Sequence, residues 1–213
     1  MGHKHLVDVA LTVRELDVFR GDRCLLQGLN LSVEGGDVVH LVGPNGCGKT
    51  SLLRILAGLT PPTKGSLSWN GQPLASHRSE FLQSTAWLGH LPGLKRDLTL
   101  EENILFDNSL RRQRDRRQLD EIIGRLGLES RLQVRAGGLS AGQQRRAALA
   151  RVLMSDAGLW LLDEPLTNLD SDGRALVIDC MAEHAATGGA IIFAAHTDVT
   201  IPGRSVRRLE WQS

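Results

Sequence analysis

The sequence predicts an α/β fold with a mostly parallel sheet, and three short apolar stretches carry this prediction. They lie at residues 38–42, 158–163 and 190–195, and each has the length of a strand that is buried on both faces. Helical patterns separate them, including one near residues 172–186. Because strands that alternate with helices are typical of βαβ units, the sheet should be mostly parallel.

Two further regions are predicted to flank this core. Residues 6–42 and the hairpin signal at Asn70-Gly71 indicate a small antiparallel β subdomain. Residues from about 76 to 135 are polar, rich in arginine and mostly helical in pattern, so a helical subdomain, taken as about 76–155, is expected as an insertion. Residues 1–213 are expected to form a single domain, because a chain of this length that is 41% hydrophobic suits one core.

The composition argues against several classes of protein. The net charge is +1, so no global field attracts nucleic acid, and nucleic acid is not expected as a partner. The apolar runs are far shorter than the roughly 20 residues that span a bilayer, so a membrane role would have to come through a partner. The three cysteines are scattered and indicate neither a disulfide framework nor a metal site.

The arginine-rich run at residues 111–118 is the densest charge cluster. We interpret it as a solvated helix face or loop. The alternative is a contact with anionic headgroups or with an acidic partner surface, since each Lys or Arg near an anionic membrane gains about 1 kcal/mol.

Residues 43–51 are predicted to form a phosphate-binding loop between a strand and a helix. The glycines let backbone N–H groups turn towards a phosphate, and the helix N-terminus adds partial positive charge. Lys49 is expected at the β- and γ-phosphates and Thr50 at Mg²⁺, while the helix is expected to bury a face that ends with Leu59. The pattern indicates a P-loop NTPase. The residues predicted to bind ATP here are Gly43, Pro44, Asn45, Gly46, Cys47, Gly48, Lys49, Thr50 and Ser51.

A pair of carboxylates follows the second apolar strand. Asp163 is expected to hold Mg²⁺, and Glu164 is placed to act as a general base on the attacking water. A surface carboxylate pair after a buried strand is the alternative, but a phosphate-binding loop on the same chain argues against it.

The stretch that narrows the function further is Leu139, Ser140, Ala141, Gly142 and Gln143. It resembles the LSGGQ signature of the ATP-binding cassette (ABC) ATPases, with one Gly changed to Ala. Ser140 precedes a helical run, whose N-terminus suits a phosphate. The resemblance implies a homodimer that sandwiches two ATP molecules, each between the P-loop of one copy and the signature of the other.

The same resemblance, which covers essentially the whole chain, assigns four more residues. Asp170 stands in the position of the D-loop aspartate, and His196 in that of the switch histidine that senses the γ-phosphate. Phe19 aligns with the aromatic residue that stacks on adenine, although a plain core phenylalanine is an equal alternative. His90 occupies the place of the Q-loop glutamine, and because imidazole is a poorer ligand for a hard cation, tight Mg²⁺ contact is not expected from it.

With His90 in that place and a signature spelled LSAGQQRR, residues 87–106 resemble one branch of the family, the ATP-binding subunits of the bacterial cytochrome c maturation system. The resemblance implies a peripheral subunit on the cytoplasmic face of the inner membrane, bound to integral membrane subunits. Its ATP hydrolysis would serve haem export or the release of a haem-loaded chaperone. The alternatives are the ATP-binding subunit of another small exporter and a soluble ABC ATPase without a transport role.

Overall fold

The computed structural model describes residues 9–108 and 116–211. In this part of the chain there are six α-helices and nine strands. The strands are β1 (Ala10–Arg20), β2 (Arg23–Glu34), β3 (Val38–Val42), β4 (Lys64–Trp69), β5 (Gln72–Pro73), β6 (Thr85–Leu88), β7 (Leu159–Asp163), β8 (Ala190–Ala194) and β9 (Val206–Glu210). The helices are α1 (Lys49–Leu56), α2 (Arg78–Gln83), α3 (Leu100–Asn108), α4 (Arg116–Arg125), α5 (Ala141–Leu153) and α6 (Ser171–Ala186).

The central layer is a five-stranded sheet in the order β6-β7-β8-β3-β9, and every pair within it is parallel. All residues of β7 and β8 are buried, as expected for strands that are covered on both faces. Successive side chains alternate between the two faces, so Leu161 and Ile192 pack in one hydrophobic cluster while Leu162 and Phe193 pack in the other. The predicted α/β class with a mostly parallel sheet is confirmed.

The second sheet is antiparallel and has the order β2-β1-β4-β5. It packs with α1 and one face of the parallel sheet around a shared hydrophobic cluster. Asn70 and Gly71 both have positive φ angles, of 49° and 77°, which is the geometry of the hairpin that their sequence predicts.

The structure adds one strand to the region that was predicted to be mostly helical. β6 lies within residues 76–155, yet it forms the edge of the parallel sheet by pairing with β7. The strand spans only four residues, and its pairing partner lies more than 70 residues away, so local periodicity carries little sign of it. The helices α3, α4 and α5 follow it and pack on the other face of the sheet.

Helix α1 is shorter than predicted. It ends at Leu56, and Gly58 takes a left-handed conformation with φ 67°, which is the usual C-terminal stop of a helix. Leu59 therefore lies beyond the helix, and 46% of its surface is exposed rather than buried.

Of the arginine-rich run, residues 111–115 lie outside the described residues. Arg116 begins α4, is largely exposed and pairs with the carboxylates of Glu101 and Asp120. This end of the run therefore behaves as a solvated helix face. None of the helices in the described ranges is long and apolar enough to cross a membrane.

Candidate nucleotide-binding site

The predicted site residues follow neighbouring strands of the parallel sheet. The loop 43–48 follows β3, Asp163 and Glu164 stand at the end of β7, and His196 comes two residues after β8. Because β3, β8 and β7 are adjacent and parallel, their carboxyl ends meet at one edge of the sheet. That edge is where ligands bind in open α/β sheets.

The loop wraps around the ammonium group of its own lysine. Lys49 is 7% exposed, and its Nζ donates hydrogen bonds of 2.6 Å to Gly43 O and 3.1 Å to Pro44 O. Gly48 has a φ of 122°, and a Cβ there would lie 3.1 Å from the side chain of Leu25, so both the backbone and the packing require glycine. The loop thus holds a cation beside the N-terminus of α1, an arrangement that suits an anionic phosphate.

Two side-chain oxygens lie together where α1 begins and β7 ends. The Thr50 hydroxyl donates a hydrogen bond of 2.8 Å to Asp163 Oδ2, which joins the phosphate-binding loop to the end of β7. In the described ranges no group of three or more His, Cys, Asp or Glu side chains could hold a metal by itself. Two hard oxygen ligands fit Mg²⁺, which binds through one or two protein oxygens and takes the rest from phosphates and water.

Glu164 is held in a strained conformation beside a histidine. It has a φ of 55°, is 8% exposed, and its Oε1 lies 3.2 Å from His196 Nε2. Burial raises the pKa of the Glu164 carboxyl, while His196 opposes this rise and Asp163 adds to it. A raised pKa brings a carboxylate closer to the pH at which a general base works best.

These groups surround one open cavity of about 510 Å³. The cavity brings together the lysine and glycines of the loop, both carboxylates and both predicted histidines. Its lining residues are Arg20, Leu25, Asn45, Gly46, Gly48, Lys49, Thr50, Ser51, His90, Asp163, Glu164 and His196. Three of the predicted loop residues do not line the cavity. Gly43 and Pro44 accept the hydrogen bonds of Lys49 through their carbonyls, and the Cys47 side chain packs against the hydrophobic core.

Phe19 is not among the residues that line this cavity. It is half-buried on β1, opposite Cys24 of β2. The next residue, Arg20, lines the cavity instead, and a Cβ on Gly46 would lie 3.9 Å from Arg20 Nη1. Sequence reasoning missed Arg20, because an aromatic side chain next to it gave the stronger signal for a base-stacking residue.

The residues Leu139–Gln143 do not line the cavity either. Ser140 caps α5: its Oγ accepts a hydrogen bond of 3.2 Å from Gln143 N, and the Gln143 side chain accepts one of 3.0 Å from Ser140 N. Ala141 and Gly142 form the first turn of this helix. The helix start that the sequence predicts at Ser140 therefore exists, but it does not line the cavity of its own chain.

Asp170 also caps a helix. It stands before α6, and its Oδ1 accepts a hydrogen bond of 2.9 Å from Gly173 N. Within the described chain this accounts for a short acidic side chain at that position, and Asp170 does not line the cavity.

Sequence comparisons with known proteins point to a family of ATP-binding proteins. The profile of the ABC transporter family matches residues 26–167. A cytochrome c biogenesis ATP-binding export protein, CcmA, from Methylococcus capsulatus is 42% identical over 92% of this chain and 95% of its own length. The protein of the same name from Salmonella typhi is 43% identical over 93% of this chain and 95% of its own.

Solved structures repeat the fold. An ABC transporter ATP-binding protein from Pyrococcus furiosus superposes with a TM-score of 0.81 at 25% identity, over 95% of this chain and 97% of that one. A dimeric bacterial ABC transporter cassette also superposes at 0.81, over 94% of each chain, and at 21% identity it supports the fold alone. With the family profile over most of the chain and relatives above 40% identity across nearly its full length, the chain belongs to the ABC transporter family as an ATP-binding domain.

Proposed function

We propose that this chain is the ATP-hydrolysing subunit of an ABC transporter complex for cytochrome c biogenesis. The observation that carries the proposal is the 42% identity to the Methylococcus capsulatus CcmA protein, which extends over 92% of one chain and 95% of the other. The cavity adds a reason in chemistry, because the groups needed to bind and hydrolyse a nucleoside triphosphate line it together.

The role proposed for each residue follows from its hydrogen bonds and its place in the cavity. Lys49 and the N-terminus of α1 bind the phosphates, and Thr50 and Asp163 would hold Mg²⁺. When bound, Mg²⁺ neutralises charge on the phosphate oxygens. Glu164 accepts a proton from the attacking water, and His196, 3.2 Å from that carboxylate, contacts the γ-phosphate.

A second copy of the chain would complete the site. The capped helix start at Ser140 has the features of a phosphate site, yet it does not line the cavity of its own chain. In a homodimer each signature would cover the ATP bound by the other copy. Hydrolysis then removes the γ-phosphate that bridges the two copies, and the dimer opens.

Contact with integral membrane subunits is proposed at the loop after β6 and the adjoining helix α3. Leu91 is 77% exposed and Phe106 is 46% exposed, and both are apolar. Lys95 lies 3.6 Å from the centre of the Phe106 ring. Because His90 lines the cavity and precedes Leu91 directly, a partner on this surface would act close to the nucleotide. Such a partner would hold the chain, as a peripheral subunit, on the cytoplasmic face of the inner membrane.

Two variants of His90 test this link. We expect His90→Gln to retain ATP hydrolysis, because an amide can replace the hydrogen bonds of the imidazole. His90→Ala should hydrolyse ATP but support little cytochrome maturation, since the side chain between cavity and partner is lost. The measurement pairs ATPase rates of the purified complex with haem-stained gels of cell extracts, and full maturation with His90→Ala would rule out the coupling role.

A second pair of variants tests which residue stacks on the adenine ring of ATP. Arg20 lines the cavity, and a guanidinium over an aromatic ring contributes about 0.5–2 kcal/mol. We therefore expect Arg20→Ala to weaken ATP binding about two- to thirtyfold. Phe19→Ala is the matched control and should change the Kd less, as measured by isothermal titration. If Phe19→Ala carries the larger loss, Phe19 covers the base, as the sequence predicts.

Deletion of the gene tests the pathway. Cells without this chain should lose haem-bearing c-type cytochromes, and the wild-type gene should restore them. Measurement of chaperone-bound haem in the same deletion strain then distinguishes ATP-driven haem export from the release of a haem-loaded chaperone. Normal cytochromes would instead indicate another small exporter if the chain co-purifies with membrane subunits, or a soluble ABC ATPase if it does not.

A further inference from the structure

A buried arginine on α5 contacts the backbone on two sides of the candidate site. Arg145 is 3% exposed. Its Nη2 donates hydrogen bonds of 2.6 Å to both the Asp163 and the Glu164 carbonyl oxygens. Its Nη1 donates one of 2.7 Å to Gly89 O and lies 3.5 Å from His90 O. One guanidinium therefore joins the strand end that carries Glu164 to the loop that carries His90.

These contacts fix the unusual backbone of Glu164. In an extended strand successive carbonyls point in opposite directions, so Asp163 and Glu164 can share one donor only because the chain turns out of β7 at this point. The turn gives Glu164 a φ of 55°, which is unfavourable for a residue with a side chain. The Glu164 N–H donates to Ala194 O at 2.9 Å, so β8 holds one side of the residue and Arg145 the other.

The burial of Arg145 has a cost that packing alone does not explain. Burial lowers the pKa of the guanidinium to about 10, so the group is still charged at neutral pH. Its Nε has no hydrogen-bond partner among the described residues. Because a charge is costly to bury, the hydrogen bonds to the backbone at Glu164 and His90 offer a functional reason for this one.

We propose that Arg145 is a positioning residue for ATP hydrolysis, which holds the Glu164 carboxylate and the His90 loop in fixed positions relative to α5. The proposal rests on the proposed role of Glu164 as general base. Helix α5 begins at the signature, which would contact the nucleotide bound by a second copy. If that contact moves α5, Arg145 would transmit the movement to the backbone at Glu164 and at His90.

Arg151 provides a matched control on the same helix. It is also largely buried, and burial lowers the pKa of its guanidinium. Its Nη1 donates hydrogen bonds of 3.2 Å to Pro92 O and 3.0 Å to Gly93 O, so it reaches the same loop farther from the cavity. A general defect in the packing of α5 would affect both arginines, whereas a positioning role would separate them.

The first experiment measures ATP hydrolysis and nucleotide affinity with the full chain, purified together with its bound membrane subunits. In Arg145→Lys one nitrogen replaces three, so it cannot hold both segments. We expect its kcat to fall about a hundredfold, the effect of a misplaced catalytic group, with little change in ATP affinity. Arg151→Lys should retain most of its kcat. Arg145→Gln gives a second reading if the lysine variant melts at a much lower temperature.

The second experiment combines Arg145→Lys with Glu164→Gln. If Arg145 acts through Glu164, the double variant hydrolyses ATP no more slowly than Glu164→Gln alone. An unchanged kcat in Arg145→Lys, a loss of ATP affinity instead of kcat, or an equal loss with Arg151→Lys would each overturn the proposal. If Glu164→Gln itself retains wild-type turnover, the base assignment fails, and this result is distinct from the others.

Discussion

Replacement of Glu164 by Gln is expected to stop ATP turnover and leave ATP binding intact. The amide cannot accept a proton from water, and a positioned general base supplies about 10²–10⁴-fold in rate. The Lys49 contacts and the Thr50–Asp163 hydrogen bond do not involve this side chain, so the phosphates keep their partners. Because the ATP that would bridge two copies persists, the variant should accumulate as a dimer when ATP and Mg²⁺ are present.

Phosphate release and size-exclusion chromatography with ATP measure these two effects together. Glu121, which is exposed on α4, offers a control, and Glu121→Gln should match the wild type in both. A Glu164→Gln variant that hydrolyses ATP at the wild-type rate would show that the proton goes to another group. A variant that loses turnover but stays monomeric with ATP would contradict the homodimer part of the account.

The second large effect is expected for Lys49→Ala. The ammonium group is buried in the loop that would bind the phosphates, and there it donates hydrogen bonds to the carbonyls of Gly43 and Pro44. A hydrogen bond to a charged group contributes about 1.5–3 kcal/mol. Loss of the proposed hydrogen bond between Lys49 and the phosphates should therefore weaken ATP binding at least about tenfold and reduce turnover at low ATP.

Lys64→Ala serves as the matched control for Lys49→Ala. Lys64 is 59% exposed and pairs with Asp17 at 3.5 Å, away from the lining of the cavity. Because Lys64 does not line the cavity, this variant should bind ATP as the wild type does. Equal ATP affinity in the Lys49 variant and the wild type would mean that the loop binds phosphate without its lysine, contrary to the account.

Local patterns predicted the part of the structure that local physics determines. The apolar runs at β3, β7 and β8 indicated strands buried on both faces, and their parallel pairing then placed Lys49, Asp163, Glu164 and His196 at one edge. The helix start at Ser140 was also readable, since a capping residue and its partner at Gln143 lie three positions apart.

The remaining features depend on contacts between distant residues. β6 exists because β7 pairs with it, and Arg20 reaches the cavity because β1 ends beside Gly46. Arg145 was missed because a signature followed by two arginines looks like an ordinary helix surface. It follows Gly142 by three positions and precedes Leu149 by four, which places it on a buried face, and this spacing is the one signal that could have indicated it.

A haem-stained gel of c-type cytochromes, from cells whose only copy of this gene carries Glu164→Gln, tests whether ATP turnover by this chain serves cytochrome maturation. The variant retains the surface proposed for the membrane subunits, so any effect reports ATP turnover rather than loss of the complex. We expect the haem bands to disappear and the wild-type gene to restore them. Bands of normal intensity, with the variant protein present at its usual level, would contradict the claim that ATP hydrolysis by this chain serves cytochrome c maturation.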